Sequence, residues 1–194
     1  MAIIAIASTK GGVGKTSIAF SLAKDLDYRY VTNDMSIVIN KYKKAKYYPN
    51  KIPLYENTIY DFGGFVDKHA DLILNEADVI LLPTTNDKNS IMKSQILIKA
   101  FKHKTILVFA NMIENQRDYE TIKTEIHRYF PNLAFTHLRR TKLLKNALEN
   151  GQSAKELYES TNQTQYVYRH AYEEYAKILS LFTQEANAEP PQSH

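Results

Sequence analysis

The sequence contains no cysteine. This absence excludes a disulfide scaffold, a zinc or iron–sulfur site with cysteine ligands, and a catalytic thiol. No apolar run approaches the ~20 residues that cross a bilayer. The apolar segment 2–7 is short for a signal peptide, and no basic region precedes it. We therefore expect a cytoplasmic protein without a membrane-spanning segment.

The length of 194 residues predicts one domain over residues 1–185, followed by a flexible tail, 186–194, that contains two prolines. The hydrophobic fraction of 44% and the charged fraction of 24% are typical of soluble globular proteins. The formal net charge of +4 favours an anionic partner but does not identify one.

Apolar segments alternate along the chain with segments of helical periodicity. This alternation predicts an α/β fold, a mostly parallel twisted sheet with helices on both faces, and ligands at the carboxyl ends of its strands. The strand candidates are 3–7, 29–32, 36–39, 58–60, 79–82 (ended by Pro83), 105–110 and 133–137. The helix candidates include 16–26, 91–101, 119–129 and 165–182.

A glycine-rich loop joins the first predicted strand to the first predicted helix. Its glycines let successive backbone N–H groups point at phosphate oxygens, and the following helix N-terminus favours negative charge. In such a loop Lys15 reaches the β- and γ-phosphates, and the hydroxyl of Thr16 can ligate Mg²⁺. We therefore predict a phosphate site formed by Lys10, Gly11, Gly12, Val13, Gly14, Lys15, Thr16 and Ser17.

The first half of this loop departs from the common pattern, because Thr9 replaces the first glycine and a second lysine, Lys10, follows it. It thereby resembles the deviant Walker A motif, Lys-Gly-Gly-x-x-Gly-Lys-Thr, of the ParA/MinD family of P-loop ATPases, and in particular small single-domain ParA-type partition proteins. The resemblance implies ATP and ADP as ligands, Mg²⁺ as cofactor, and catalytic roles for Lys10 and Lys15. It also implies a homodimer on ATP binding, in which Lys10 contacts the partner's nucleotide.

Two aspartates stand at strand ends that the family uses. Asp61 ends an apolar segment before Gly63 and Gly64, and a carboxylate there can hold Mg²⁺ through water. Asp34 follows the second strand, where the resemblance implies that it positions or activates the attacking water. The family often has an earlier aspartate as well, and Thr32 takes its place here.

Further matches to the family extend along residues 1–158. Asn111 follows the strand 105–110, and the resemblance implies that its side chain binds the adenine edge. The segment 138–141 resembles the family's base-lining step, and 147–151 resembles the element that follows it. Because the phosphate loop begins at residue 10, we expect no N-terminal helix-turn-helix domain.

Two basic clusters could bind the phosphate backbone of DNA without reading its sequence. In the first, lysines are interleaved with Tyr42, Tyr47 and Tyr48. The second cluster follows the last predicted strand. The DNA-binding candidates are Lys41, Lys43, Lys44 and Lys46 in the first cluster, and Arg139, Arg140, Lys142 and Lys145 in the second.

The resemblance implies a slow ATP hydrolase that acts as a DNA-partition switch. An ATP-bound dimer would bind non-specific DNA at the nucleoid, and a ParB-like adaptor protein would stimulate hydrolysis to reset it. The alternatives are a MinD-like or cargo-positioning ATPase that does not use DNA, and a metabolic P-loop kinase or ligase. We expect no membrane partner, because the last helix carries Glu173 and Glu174 on its polar face whereas a membrane helix should be basic.

Overall fold

The computed structural model describes residues 2–62 and 68–183. Gly63, Gly64 and the predicted tail 186–194 lie outside the described residues. Within them the strands are β1 (Ile3–Ile6), β2 (Arg29–Thr32), β3 (Ala45–Tyr47), β4 (Thr58–Asp61), β5 (Val79–Thr84), β6 (Ile106–Ile113) and β7 (Ala134–Arg139). The helices are α1 (Lys15–Asp25), α2 (Val38–Lys41), α3 (Lys68–Glu76), α4 (Lys88–Ala100), α5 (Gln116–His127), α6 (Leu143–Asn150), α7 (Ala154–Glu159) and α8 (Asn162–Thr183).

The seven strands form one sheet in the order β3-β2-β4-β1-β5-β6-β7, and every neighbouring pair is parallel. After β1 the chain continues to β2 on one side of the sheet, and after β4 it crosses to β5 on the other side. The connections after β1 and β4 therefore diverge, which opens a crevice at the carboxyl ends of the central strands. This arrangement confirms the predicted α/β fold.

Helices cover both faces of the sheet, as a parallel sheet of apolar strands requires. Ile4 and Ile6 of β1 pack in a layer with α1, α6, α7 and α8. Ala5, on the opposite face of the same strand, packs in a layer with α3, α4 and α5. The side-chain period of two residues along β1 thus divides the core into two layers. Among the described residues, no helix combines the length and apolar character needed to cross a membrane.

Two details of the predicted elements were wrong. Segment 36–39 is not a strand, because Ser36 accepts a hydrogen bond from the Val38 backbone N–H and the chain enters α2 there. Pro83 does not end β5, which continues to Thr84. The side of Pro83 that lacks an N–H faces β1, where the pairing has already stopped at Leu81. Pro83 therefore does not interrupt the pairing of β5 with β6.

Candidate active site

The loop between β1 and α1 curls through left-handed glycines at its turn into the helix. Gly12 has φ +74°, and Gly14, the residue that caps α1, has φ +86°. A Cβ on Gly14 would lie 2.5 Å from the Nδ2 atom of Asn111, so this position requires glycine for both backbone conformation and space. The curled backbone and the start of α1 produce the anion-binding geometry that the loop sequence predicts.

Lys15, the first residue of α1, folds its side chain back over the loop. Only 9% of the residue is exposed, and its Nζ atom donates to the Lys10 carbonyl oxygen at 3.2 Å. Burial lowers the pKa of Lys15, while the carboxylates of Asp61 and Asp34 act in the opposite direction. An anion bound beside this ammonium would be stabilised by a charge that is only partly screened by solvent.

A cavity of about 460 Å³ lies at the carboxyl ends of β1, β2 and β4 and brings together most of the predicted phosphate and metal residues. It is open to solvent beside the phosphate loop. The residues that line it are Gly11, Gly12, Gly14, Lys15, Thr16, Ser17, Thr32, Asp34, Met35, Ser36, Asp61, Phe62 and Leu148.

Asp61 lies at the floor of this cavity, in register with Ile6 of β1 and Thr32 of β2. The Tyr30 hydroxyl donates to its Oδ2 atom at 2.7 Å. Burial raises the pKa of Asp61, and the hydrogen bonds of Tyr30 and Thr16 oppose that rise. Its Oδ1 atom is buried and has no hydrogen-bond partner among the described residues. A buried carboxylate oxygen of this kind requires a partner, so the pairing of Asp61 with Thr16 fits a Mg²⁺ ion and its waters.

Asp34 lies on the exposed rim of the same cavity. The hydroxyl of Thr32 accepts a hydrogen bond from the Asp34 backbone N–H at 3.1 Å, which fixes the turn after β2. Thr32, which replaces the family's first aspartate, therefore orders the backbone that carries Asp34. The side chain of Thr32 itself is buried.

The side chain of Lys10 points away from the cavity that contains Lys15. Its ammonium forms an ion pair with the Oδ2 atom of Asp87, at the amino end of α4. Partial burial acts to raise the pKa of Asp87, but hydrogen bonds from Lys10, from the Thr85 hydroxyl at 2.7 Å and from the Ser90 backbone outweigh it and lower the pKa to about 2. Asp87 is therefore a carboxylate at neutral pH, and it holds the second lysine away from the cavity of Lys15 and Asp61.

Asn111 lies beneath the phosphate loop. It is buried, its Nδ2 atom donates to the Val13 carbonyl at 2.8 Å, and its Oδ1 atom accepts from the Met112 backbone N–H. Met112 has φ +59° and forms an irregularity in the pairing of β6 with β7. This bulge turns the end of β6 so that the Asn111 amide supports the loop from below.

Residues 4–154 match the model of the CobQ/CobB/MinD/ParA nucleotide binding domain. This chain belongs to that family. No curated protein sequence matches the chain.

Solved structures of this family share the fold at low sequence identity. MinD from Pyrococcus horikoshii in complex with Mg-ADP has 14% identity and a TM-score of 0.68, with 96% of this chain and 97% of that chain covered. A ParA family ATPase from Chlorobium tepidum has 15% identity and a TM-score of 0.59, with 88% and 97% covered. A variant of Cyanothece McdA in complex with ATP has 14% identity and a TM-score of 0.58, with 90% and 96% covered.

The two basic clusters of this CobQ/CobB/MinD/ParA-family chain lie in different surroundings. Lys43, Lys44 and Lys46 gather beside β3, at one edge of the sheet. Lys41 instead donates to the Glu149 carbonyl at the end of α6, at 3.1 Å. The edge strands β3 and β7 are six strand spacings apart, about 29 Å, so Lys43, Lys44 and Lys46 are remote from the end of β7, whereas Lys41 lies beside Glu149, the partner of Lys145.

The second cluster is largely neutralised by carboxylates. Its members Arg139, Arg140 and Lys145 pair with Glu174 at 2.6 Å, Glu114 at 3.0 Å and Glu149 at 3.7 Å, respectively. Lys142 is exposed next to α6. The sequence shows the four cations of this cluster as neighbours, and Glu149 lies one helical turn from Lys145. The partners of Arg139 and Arg140, by contrast, come from two distant parts of the chain.

Sequence reasoning missed two residues of the site, Tyr30 and Asp87. Tyr30 appears in the sequence as one aromatic residue in a buried strand, and Asp87 as one polar residue in a loop. A tyrosine in a buried strand is a weak signal that its hydroxyl needs a polar partner. The sequence contains no comparable signal for Asp87 beyond its place at the start of a helix.

Proposed function

We propose that this chain is an ATP-driven molecular switch of the ParA/MinD type that hydrolyses ATP slowly and acts in DNA segregation. The observation that carries the proposal is the pair of loop lysines: Lys15 faces the cavity of Asp61 and Thr16, while Lys10 faces away from it. A single nucleotide in the cavity needs only the first lysine. The second is available for a nucleotide held by another subunit.

ATP would place its phosphates over the N–H groups of the loop and beside Lys15. The Mg-ADP and ATP complexes of the structural relatives support nucleotide binding at this fold. Thr16 and Asp61 would hold Mg²⁺, which when bound supplies positive charge to the β- and γ-phosphates. The unpartnered Oδ1 atom of Asp61 supports this assignment.

Hydrolysis would proceed by in-line attack of water on the γ-phosphate. Asp34, on the rim of the cavity, is placed to orient that water by accepting a hydrogen bond from it. Lys15, and Lys10 from the partner subunit, would stabilise the charge on the transferring phosphoryl group. Because Asp34 is exposed, water reaches it freely, and a partner protein could increase the rate by ordering this rim.

For adenine, the family resemblance points to Asn111. Both polar ends of its amide are engaged here, with Val13 and Met112. An adenine contact would therefore require the amide to exchange one of these bonds for the base edge. We propose that Asn111 has two roles: it contacts the adenine edge, and it supports the phosphate loop.

The partners that fit this switch are a second copy of the chain, non-specific DNA and a ParB-like adaptor. In the cell the ATP-bound dimer would then be associated with the nucleoid. The support for DNA is the basic surface beside β3, together with the net charge of +4.

The test is a comparison of wild type, Lys10→Ala and Lys15→Ala in the nucleotide-free, ADP and non-hydrolysable ATP states. We expect wild type to dimerise and to bind DNA only with the ATP analogue. Lys10→Ala should bind ADP as wild type does but remain monomeric, whereas Lys15→Ala should lose nucleotide binding. A wild type that stays monomeric with ATP, and whose turnover depends on a metabolite, would support a kinase or ligase instead.

A further inference from the structure

A second cavity lies away from the phosphate loop. It has a volume of about 680 Å³ and lies at the edge of the sheet beside β3. We call its lining the β3-edge surface, which consists of Asp27, Arg29, Lys43, Lys44, Lys46, Tyr48, Tyr55 and Asn57. These residues come from three separate parts of the chain, so only the fold assembles them.

The β3-edge surface is strongly positive. Its lining contains four cationic side chains and one carboxylate, Asp27, which gives a net charge of +3. The hydrogen bond and charge of Lys44 lower the pKa of Asp27, and these two groups pair at 2.6 Å. Lys43 and Lys46 are exposed and form no ion pair with any residue in 2–62 or 68–183. Such a surface attracts an anion with several charges.

Aromatic contacts hold one of these cations in place. The Arg29 guanidinium lies 5.1 Å from the centre of the Tyr55 ring and donates to the Glu56 carbonyl at 3.2 Å. The hydroxyls of Tyr55 and Tyr48 are hydrogen-bonded at 3.1 Å. Arg29 is therefore ordered before a ligand arrives, and its planar donors suit phosphate oxygens.

We infer that the β3-edge surface binds the phosphodiester backbone of DNA. Ordered Arg29 and the two unpaired lysines would neutralise consecutive phosphates without reading bases, as electrostatic DNA binding requires. The cluster after β7 is less suited to this role, because Arg139 and Arg140 are already paired with glutamates. This inference rests on the proposed function, for which it identifies the DNA-binding face.

The position of the surface explains how ATP could control DNA binding. Arg29 begins β2, Lys44 precedes β3 and Asn57 precedes β4, so these members of the β3-edge surface lie at the amino ends of the strands, while Lys46 and Tyr48 extend it along the edge strand β3. The nucleotide cavity lies at the carboxyl ends of β1, β2 and β4. A dimer that forms across the nucleotides would leave both copies of the β3-edge surface accessible. Two weak sites on one particle bind one DNA molecule far more tightly than one site does.

The decisive experiment compares Lys43→Gln/Lys46→Gln with the matched variant Lys142→Gln/Lys145→Gln, which removes the same charge from the other cluster. DNA binding is measured by fluorescence anisotropy with a non-hydrolysable ATP analogue and Mg²⁺ over a series of salt concentrations. We expect the first variant to lose at least about tenfold in affinity at low salt. The slope of log affinity against log salt should decrease by about 2 per bound subunit, because each lost phosphate contact contributes about 0.9. Both variants should still dimerise.

Other outcomes separate the two proposals. If wild type binds DNA and the Lys142/Lys145 variant loses affinity as much as or more than the Lys43/Lys46 variant, the β3-edge assignment is wrong and the proposed function stands. If wild type dimerises with ATP but binds no DNA at low salt, both the surface and the DNA-segregation role are overturned. Arg29→Ala provides a second check, because it should weaken DNA binding measured with the ATP analogue, and unchanged DNA affinity of this variant would contradict the role given to Arg29.

Discussion

The carboxylate of Asp87 binds the ammonium of Lys10 and thereby ties the phosphate loop to the amino end of α4. The contact is reinforced nearby, where Lys93 of α4 donates to the Thr9 carbonyl at 3.1 Å. If Lys10 is to reach the nucleotide of a partner subunit, this ion pair must break. The free energy of this ion pair therefore opposes dimerisation and stabilises the monomer.

Asp87→Asn should strengthen ATP-dependent dimerisation. Asparagine caps a helix as well as aspartate does, so α4 keeps its cap while Lys10 loses its charged partner. The two side chains are 28% and 40% exposed, and an ion pair of that exposure is worth up to about 1 kcal/mol per subunit. Because both subunits of the dimer give up their pair, we expect a dimer dissociation constant about fourfold to 25-fold lower. Analytical ultracentrifugation with the ATP analogue measures the dimer dissociation constant.

Glu114→Gln is the control, because Glu114 lines the same cavity as Lys10 and Asp87 but pairs with Arg140. Weaker dimerisation of Asp87→Asn than of wild type would contradict the prediction.

Tyr30→Phe should weaken Mg²⁺ binding at Asp61. Burial raises the pKa of Tyr30 well above its usual value, so the hydroxyl stays protonated and donates to Asp61. Without that donor, the carboxylate loses the 2.7 Å hydrogen bond that orients its Oδ2 atom. We expect the Mg²⁺ or Mn²⁺ concentration for half-saturation of the ATP complex to rise several-fold, with metal-free ADP affinity unchanged. Electron paramagnetic resonance of bound Mn²⁺ reports this directly, and Tyr60→Phe, whose hydroxyl donates to the Pro53 carbonyl, is the control.

Gly14→Ala should destabilise the loop even without nucleotide. Its φ of +86° is unfavourable for alanine, and the added Cβ would clash with Asn111 at 2.5 Å. A loss of about 1–2 kcal/mol corresponds to a decrease in Tm of roughly 2–8 °C for a chain of this size. Gly11→Ala is the matched control, because a Cβ there meets nothing within 4 Å. Equal thermal unfolding temperatures for the two variants would show that the close approach of Gly14 to Asn111 does not affect the stability of the protein.

Asp34→Asn should lower the rate of hydrolysis and spare ATP binding. The side chain lies on the rim of the cavity, and its carboxylate is the group placed to accept a proton or hydrogen bond from water. We expect kcat to decrease at least about 100-fold, the lower end of the range for loss of a general base. Single-turnover hydrolysis and fluorescent-ATP binding separate the two effects. Asp71→Asn on α3 should leave both unchanged, and unaltered hydrolysis by Asp34→Asn would remove Asp34 from the mechanism.

The sheet and its phosphate loop could be predicted because their signals are local. Residues 3–6 are uniformly apolar, and the glycines and Lys15 follow within one short segment, so neighbouring residues alone specify a buried strand, a turn and a helix start. The short strand β3 was missed because Ala45, Lys46 and Tyr47 show only one alternation of burial. Three residues are too few to establish a period of two.

The family, the phosphate loop and the two lysines within it could be predicted because each is read from contiguous residues. The contacts that those residues make depend on how the chain folds. Tyr30 meets Asp61 because β2 and β4 are neighbours in the sheet, and Lys10 meets Asp87 because β1 and β5 are neighbours. Likewise, Arg29 and Tyr55 join Lys43 and Lys46 at one edge, while glutamates distant in sequence neutralise Arg139 and Arg140. Ion pairs and hydrogen bonds form between groups that are close in space. Which groups are close depends on the order of strands in the sheet, and that order cannot be read from neighbouring residues in the sequence.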